Sequence, residues 1–323
     1  MNADCESELA APEGRYRRTR SFTKINWRLT AHLLWLAKPG DALLMERPWP
    51  NDVVARAGER GVTLLDLDTE NIHTTRVFTP WGWTSSALAL GERLGAIVDA
   101  VPIDVVRRVN SKLWSHALEV EAGIALDKAE TASDFDGLKH AVAAACPGDN
   151  DKWVIKSPHG FAARERVLGR GPCLAGPPAK WCERRFARGE TLLFQPWLDV
   201  IREYGVVLGV GRDGKIALHG ISDLQTNGAG TGIGYVLGRA VEPHRRAELY
   251  DMAIWVGERL WREGYFGPAG IDALEHAGGL HPLLEVNARF TMGFVALAVE
   301  RTLLPSAPIF WSTHKQEGKS KQF

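Results

Sequence analysis

The chain has 323 residues, 45% hydrophobic and 24% charged, with 39 basic side chains against 39 acidic ones. That size allows two or more domains with a substantial core, and the balanced charge excludes the global field by which proteins attract nucleic acid or anionic membranes. No apolar run approaches the roughly 20 residues of a membrane-spanning helix, so small molecules are the expected partners.

Residues 1–20 are polar and then basic, without the apolar stretch of a signal peptide, and read as a disordered tail of a cytoplasmic protein. Cys5, Cys146, Cys173 and Cys182 lack metal-ligand spacing and read as free thiols. A small α/β domain is expected over 21–110. Leu29 to Ala37 has a helical pattern that stops at Pro39-Gly40, and Asp41 to Met45 is a short apolar strand. Asn51-Asp52 can cap the next helix, VVARAGER, and Val62 to Leu67 gives a second strand. Another helix starts near Thr84 and stops at Gly95. Strand, helix and strand at this spacing predict a partly parallel sheet.

After Asn110 the pattern changes. Helices are expected over 111–121, 135–145 and 179–189, with strands at 152–156 and around ERVLG. Four strand-like runs follow between 191 and 238, then a long helix over 243–263. Two last strands, PAGIDALE and LHPLLEVNA, are joined by a hairpin-like HAGG. The tail 313–323 reads as flexible.

The chemistry concentrates in the final strands. Side chains on a strand alternate faces, so in HPLLEVNARF the apolar Leu284, Val286, Ala288 and Phe290 point one way. Glu285, Asn287 and Arg289 point the other. Asp272, in GIDAL, is a lone acid among apolar neighbours, and a hairpin would set it beside Glu285 and Asn287. Two carboxylates and an amide oxygen are hard ligands of the kind magnesium, or manganese in its place, prefers. Like charges so close repel unless a cation neutralises them. The alternative is a half-buried strand with its polar face in water.

Further upstream, Lys156 ends an apolar strand where its ammonium can reach an anion. The loop Ser157 to Arg164 after it offers backbone N–H groups, and Arg164 and Arg166 add charge; the alternative is a solvated basic turn. The stretch FQPWL could present its backbone to an adenine edge, with Glu203 available for ribose hydroxyls, or could be a plain core strand. TPWGWTSSA (79–87) sets aromatic rings beside a helix N-terminus, as a carboxylate pocket or as packing between domains. GAGTGIG (228–234) fails the dinucleotide spacing at Ile233 and reads as a flexible loop near an acceptor site.

Taken in order, Lys112 in NSKLW, Lys156 in WVIKSP, QPWL followed by Glu203 in REYGV, Asp272 in GIDAL, and the ending Glu285-Val286-Asn287-Ala288-Arg289 resemble the ATP-grasp superfamily over roughly 110–300. The resemblance implies an α/β (α+β) fold, with a small pre-ATP-grasp-like α/β domain over 21–110 and a two-lobed ATP-grasp domain over 111–312. It implies that Lys112 and Lys156 contact ATP and that the segment Gln195, Pro196, Trp197 and Leu198 holds adenine, with Glu203 nearby. Asp272, Glu285 and Asn287 would bind Mg2+ (or Mn2+), and Arg289 would contact phosphate or the reacting acyl group. The E-x-N-x-R ending is more similar to the carboxylase branch than to the E-x-N-x-x-P-G of dipeptide ligases. Two features depart from the family's pattern: the phosphate loop is poor in glycine, and Gln195 stands where an acid is common.

The implied activity is an ATP-dependent carboxylate–amine ligase working through an acylphosphate, with Lys156 and Arg289 as its catalytic charges. Its partners would be a small carboxylate and an amine, amino acids or peptides included, and a second copy in a homodimer. A kinase or phosphotransferase, and a non-catalytic nucleotide-binding module, are the alternatives.

Overall fold

A computed structural model describes residues 1–45, 48–67, 75–160 and 165–312. The expected flexible tail 313–323 lies outside the described residues.

The N-terminal part departs from expectation. Residues 1–20 are not a disordered tail: helix α1 (Cys5–Ala10) is docked, with Asp4, Cys5, Glu6 and Leu9 all buried. Helix α2 (Arg20–Thr30) follows, with Thr19 accepting from the Phe22 amide at 3.2 Å as its N-cap. It begins nine residues before the helical pattern at Leu29, and a 3₁₀ turn (Ala31–Trp35) continues it. The reason is its inward face, where the buried residues are Phe22, Asn26 and Thr30. They stand four apart as a helix face requires, yet two are polar, so apolar periodicity does not reveal them. Strands β1 (Ala42–Met45) and β2 (Thr63–Asp66) pair in parallel, with α3 (Asn51–Glu59) as their crossover. Helix α4 (Ser85–Arg93) is capped by Thr84, whose hydroxyl accepts from Ala87 N at 3.2 Å. Helix α5 (Ile103–Val109), unassigned from sequence, starts directly after Pro102 and buries Val105, Val106 and Val109.

Helix α6 (Lys112–Glu121) is capped by Ser111 and leads into a four-stranded antiparallel sheet. Its strands are β3 (Glu130–Ala132), β4 (Lys152–Lys156), β5 (Arg166–Arg170) and β6 (Leu192–Pro196), in the order β3-β6-β4-β5. Helices α7 (Phe135–Ala145) and α8 (Gly176–Phe186) close a core of Leu138, Val142, Trp153, Ile155, Leu192 and Phe194.

The larger sheet has six antiparallel strands in the order β11-β10-β7-β8-β9-β12. They are β7 (Val200–Val210), β8 (Ile216–Thr226), β9 (Gly232–Leu237), β10 (Gly267–His276), β11 (Gly279–Asn287) and β12 (Ile309–Trp311). Both of its faces are covered. Helix α9 (Pro243–Arg262) packs Leu249, Ala253, Val256 and Leu260 into one core with Val206, Leu208 and Val210. Helix α10 (Met292–Leu303) lays Phe294 and Leu297 against Val207 from the opposite face. That two-sided burial explains why β7, from Tyr204 to Val210, reads as an unbroken apolar run. The β10–β11 register slips between Asp272 and Leu274, where β11 carries extra residues including Pro282. Proline, lacking an N–H, is tolerated at such bulges, and the slip turns both Leu283 and Val286 into the core.

Candidate active site

The two sheets meet where β6 runs through Trp197, Leu198 and Asp199 into β7. The end of β4 brings Lys156 to this junction, the start of α6 brings Lys112, and the β10–β11 hairpin brings the acids. Asp272 stands directly opposite Glu285 in the ladder, and Gly270 opposite Asn287. Lys112 Nζ donates to Glu285 Oε1 at 2.8 Å and to the Gly160 carbonyl at 3.0 Å. The Lys112 amide donates to Pro158 O at 2.8 Å, so the loop after β4 is stapled to the start of α6. Asn287 Nδ2 donates to Asp272 Oδ2 at 3.1 Å, and Asn287 Oδ1 accepts from Arg289 Nη2 at 2.7 Å. Lys112, Asp272, Glu285, Asn287 and Arg289 are therefore neighbours in a single polar cluster.

Its electrostatics are unbalanced in two places. Burial would raise Glu285, but Lys112 and Lys156 outweigh it and hold the carboxyl below its ordinary range. Asp272 has the opposite fate: burial, and then the adjacent Glu285, push it up to about 7. Two facing carboxylates are stabilised by a cation between them. Lys156 is 8% exposed, and among the described residues its ammonium has no hydrogen-bonding or ion-pair partner. Burial brings its pKa down to about 8. A lysine so largely buried, with no acceptor for its ammonium, marks a place for an anion.

Nearby, Gln195 is 1% exposed and its Nε2 has no acceptor; His159 Nδ1 in the loop after β4 is likewise buried without a partner. Burial, with Lys112 and Arg107, holds His159 down at about 4, so its ring is neutral. Donors lacking acceptors, beside a carboxylate pair of which Lys112 holds Glu285 and no ion pair among the described residues holds Asp272, fit a polyphosphate with a divalent ion. Among the described residues no three of His, Cys, Asp and Glu converge as metal ligands. A cation here would take two carboxylates and the Asn287 amide oxygen, with water or phosphate oxygens completing the shell.

The segment expected to hold adenine lies at the junction. Gln195 is buried, while Pro196, Trp197 and Leu198 are half-buried, and Trp197 N donates to Lys152 O at 2.9 Å. Arg166 lies over the Trp197 ring, 5.7 Å from its centre, and donates to the Ala229 carbonyl. The glycine-rich stretch 228–234 thus reaches the opposite sheet. Gly230, at φ +68°, would place a Cβ 3.2 Å from the Trp197 ring. Glu203 Oε1 accepts from Thr226 Oγ1 at 2.5 Å, and burial raises its pKa against the pull of Thr226 and Arg166. Residues 161–164, Arg164 among them, lie outside the described residues.

Arg289 is not a free guanidinium. It forms an ion pair with Glu6 of α1, its Nε donating to Glu6 Oε1 at 2.9 Å and its Nη2 to the same oxygen. Loop 79–87 is also occupied by α1. Glu8 accepts from the Ser86 amide at 2.8 Å and from its hydroxyl at 2.6 Å, at the start of α4. Trp81 stacks on Phe290 at 5.8 Å between centres, and a Cβ at Gly82 would sit 2.8 Å from Cys5 Sγ. The packing alternative for this loop therefore describes Trp81. A cavity of about 1420 Å³ opens beside it, with Trp27, Leu43, Trp81, Leu90 and Phe290 among its walls. His159 is marked in the sequence only by its place in the loop after β4, and Glu6 carries no local signal, because its partner is 283 residues away.

No protein-family model and no curated protein matches this chain. Solved structures do. Biotin carboxylase from Campylobacter jejuni, solved as a β,γ-ATP complex, superposes with a TM-score of 0.57 at 11% identity, over 85% of this chain and 65% of that one. The N5-carboxyaminoimidazole ribonucleotide synthetase of Thermus thermophilus gives 0.51 at 15% identity, over 82% and 70%. The N5-carboxyaminoimidazole synthetase of Staphylococcus aureus, complexed with ADP, gives 0.50 at 9% identity, over 81% and 78%. The chain has the ATP-grasp fold, a mixed helix and sheet architecture.

Proposed function

We propose that this protein is an ATP-dependent carboxylate–amine ligase whose nucleotide and reaction centre lies at the junction of the two sheets. The observation that carries the reading is Lys156, a buried lysine with no hydrogen-bond or ion-pair partner among the described residues, set in the field of Glu285, which faces Asp272. Lys112 already pairs with Glu285, so it is Lys156 and Asp272 that have no ion-pair contact among the described residues, and a purely structural cluster would be expected to neutralise both. A nucleotide triphosphate with a divalent ion neutralises both at once.

In this reading Lys156 and Lys112 lie along the phosphates, and the neutral His159 ring can donate a hydrogen bond there without adding charge. Gln195 to Leu198 line the base, and Glu203 lies within reach of the ribose. Asp272, Glu285 and Asn287 would hold magnesium, which when bound draws negative charge off phosphate oxygens. A substrate carboxylate oxygen attacks the γ-phosphorus, the bond to the β-phosphate oxygen breaks, and ADP leaves. An amine then attacks the acyl carbon of the acylphosphate, phosphate departs, and the amine loses a proton to give the amide. The chain's own groups form no covalent bond; they position and stabilise charge.

The test is ADP release by purified protein presented with carboxylic acids and amines in pairs, with and without magnesium. Release that requires both partners and the metal is expected. Glu285→Ala should abolish the magnesium-dependent release with the fold intact. ADP release with an acid or alcohol alone and no amide product would make the protein a phosphotransferase, and wild-type turnover by Glu285→Ala would remove the carboxylate pair from the reaction.

A further inference from the structure

The nucleotide-site reading leaves Glu6, a buried acid of α1 that touches the site, unused. Glu6 is 1% exposed, and its Oε1 accepts from both the Nε and the Nη2 of Arg289. Among the described residues it is the only acid in ion-pair contact with Arg289. Its other oxygen, Oε2, is buried with no partner. A carboxylate buried with one oxygen unsatisfied carries a desolvation cost, so the position calls for an explanation.

Arg289 supplies it. The guanidinium stands in the field of Asp272, and each favours the other's charged form. Its Nη2 already touches Asn287 Oδ1 at 2.7 Å, and Asn287 in turn touches Asp272 at 3.1 Å. An arginine two hydrogen bonds from a carboxylate pair can serve as an internal counter-ion for that pair. Turned toward Asp272, it would fill the role that a divalent cation is proposed to fill. Glu6 holds it on the other side, and the Phe290 carbonyl accepts from Nη1 at 3.1 Å.

The helix that carries Glu6 is tethered at both ends. Asp4, just before α1, accepts from Tyr16, Arg18 and Asn26 at 2.7 Å each, and Asn2 brackets Gly82 through both its carbonyl and its amide. Glu8 binds Ser86, and the Leu9 carbonyl accepts from Arg107 Nε at 3.0 Å. Glu6 is therefore a fixed part of the site and not a loose end that substrate would sweep away.

We propose that Glu6 is a positioning residue: by pairing with Arg289 it keeps that guanidinium off Asp272, and so leaves Asp272, with the Glu285 oxygen that Lys112 does not hold, open to a divalent cation. The inference rests on the nucleotide and metal reading above, but its test does not require turnover. Mn2+ binding is measured by electron paramagnetic resonance in the presence of ADP, for wild type, Glu6→Ala, Glu6→Gln, Arg289→Met and the Glu6→Ala/Arg289→Met double variant. Substitution of a group that orients metal ligands typically costs 10- to 100-fold in metal affinity. Glu6→Ala should therefore weaken Mn2+ by at least about tenfold, and Glu6→Gln, which keeps an acceptor but not the charge, by less.

The decisive result is the double variant. Removing Arg289 removes the competitor, so Glu6→Ala/Arg289→Met should bind Mn2+ as Arg289→Met does. A merely structural role for Glu6 would make the two losses add. Mn2+ affinity unchanged in folded Glu6→Ala and Glu6→Gln, or additive losses in the double variant, overturns the inference while the ligase reading stands. Mn2+ uptake with the expected pattern, but no amide from any acid and amine, leaves the role of Glu6 intact and removes the ligase reading. No Mn2+ uptake by wild type overturns both.

Discussion

At the residue scale, Lys156 shows how a site can weaken the fold that carries it. A lysine whose pKa falls from 10.5 to about 8 on folding gives up its proton more readily in the native state, though it still holds it at pH 7. Below about 8 both folded and unfolded chains hold the proton, and the burial penalty is complete. Between about 8 and 10.5 the unfolded chain binds more protons, so the native state gains stability as pH rises. Lys156→Met should therefore raise the unfolding free energy at pH 7 by about 1–3 kcal/mol. Urea melts should show that gain shrinking as pH climbs toward 10.5. Calorimetry should show ATP binding weakened by roughly 10- to 100-fold, the range for a lost charged hydrogen bond. A variant less stable than wild type at pH 7 would mean that the ammonium has a partner in the folded protein. The placement of Lys156 is legible in the sequence, since WVIKSP sets one cation at the end of an apolar strand. Its isolation is not, because a missing partner is a property of the whole surrounding shell. The same holds for Arg289, whose expected freedom to meet a phosphate disappears once Glu6 is brought beside it from the other end of the chain.

At the scale of elements, α1 and α2 explain what a polar sequence conceals. The segment MNADCESELA offers little apolar surface, and composition alone assigns it to solvent. What docks it is Asp4, 1% exposed, which binds three donors at once. Burial would raise its pKa, but hydrogen bonds from Arg18, Tyr16 and Asn26 outweigh that and leave it lowered. Its contribution is therefore complete above the ordinary carboxylate value of 3.8 and is lost as pH falls through the still lower folded value. Asp4→Asn removes the charge that Arg18 and Tyr16 address and should cost about 2 kcal/mol at neutral pH. Hydrogen exchange should place that loss first in residues 5–10, and the difference from wild type should narrow below pH 3.8. Unchanged protection in α1 would show that Leu9 and the Glu8–Ser86 contact suffice to dock it. The helices α4, α6 and α7 are legible beforehand because Thr84, Ser111 and Asp134 are N-caps followed by amphipathic runs. Helix α10 is not legible, since its apolar residues run around the whole helix and continue from a strand without a turn signal. Of the glycine-rich stretch 228–234, expected as a loop, residues 228–231 connect β8 to β9 while 232–234 already belong to β9, and nothing local tells that Gly230 meets Trp197 on the opposite sheet.

At the scale of the whole molecule, the order of motifs along the chain carries the fold. A cation ends a strand of the small sheet, an apolar segment leads out of it, and the acids close the large sheet; that order appears in the sequence before any contact is known. The coupling between the sheets does not. It runs through the connection Trp197 to Asp199, through Lys112 bridging Gly160 and Glu285, and through Arg166 reaching Ala229. A ligand that binds between the sheets should tighten all three links, and it binds the folded chain alone. At a hundredfold excess over its dissociation constant such a ligand adds about 2.7 kcal/mol of stability, and a chain of this length should gain roughly 5 °C in Tm. Saturating ATP with magnesium should produce a rise of that size. Magnesium alone should give little, because the cation finds only two carboxylates and an amide without phosphate oxygens. A chelator should remove most of the ATP effect, and Glu285→Ala should respond to ATP equally with and without magnesium. A wild-type melt indifferent to ATP and magnesium, in protein that unfolds cooperatively, would place the nucleotide elsewhere or nowhere. The unbalanced charges of Lys156 and Asp272 would then be a cost that this fold bears without a ligand to relieve it.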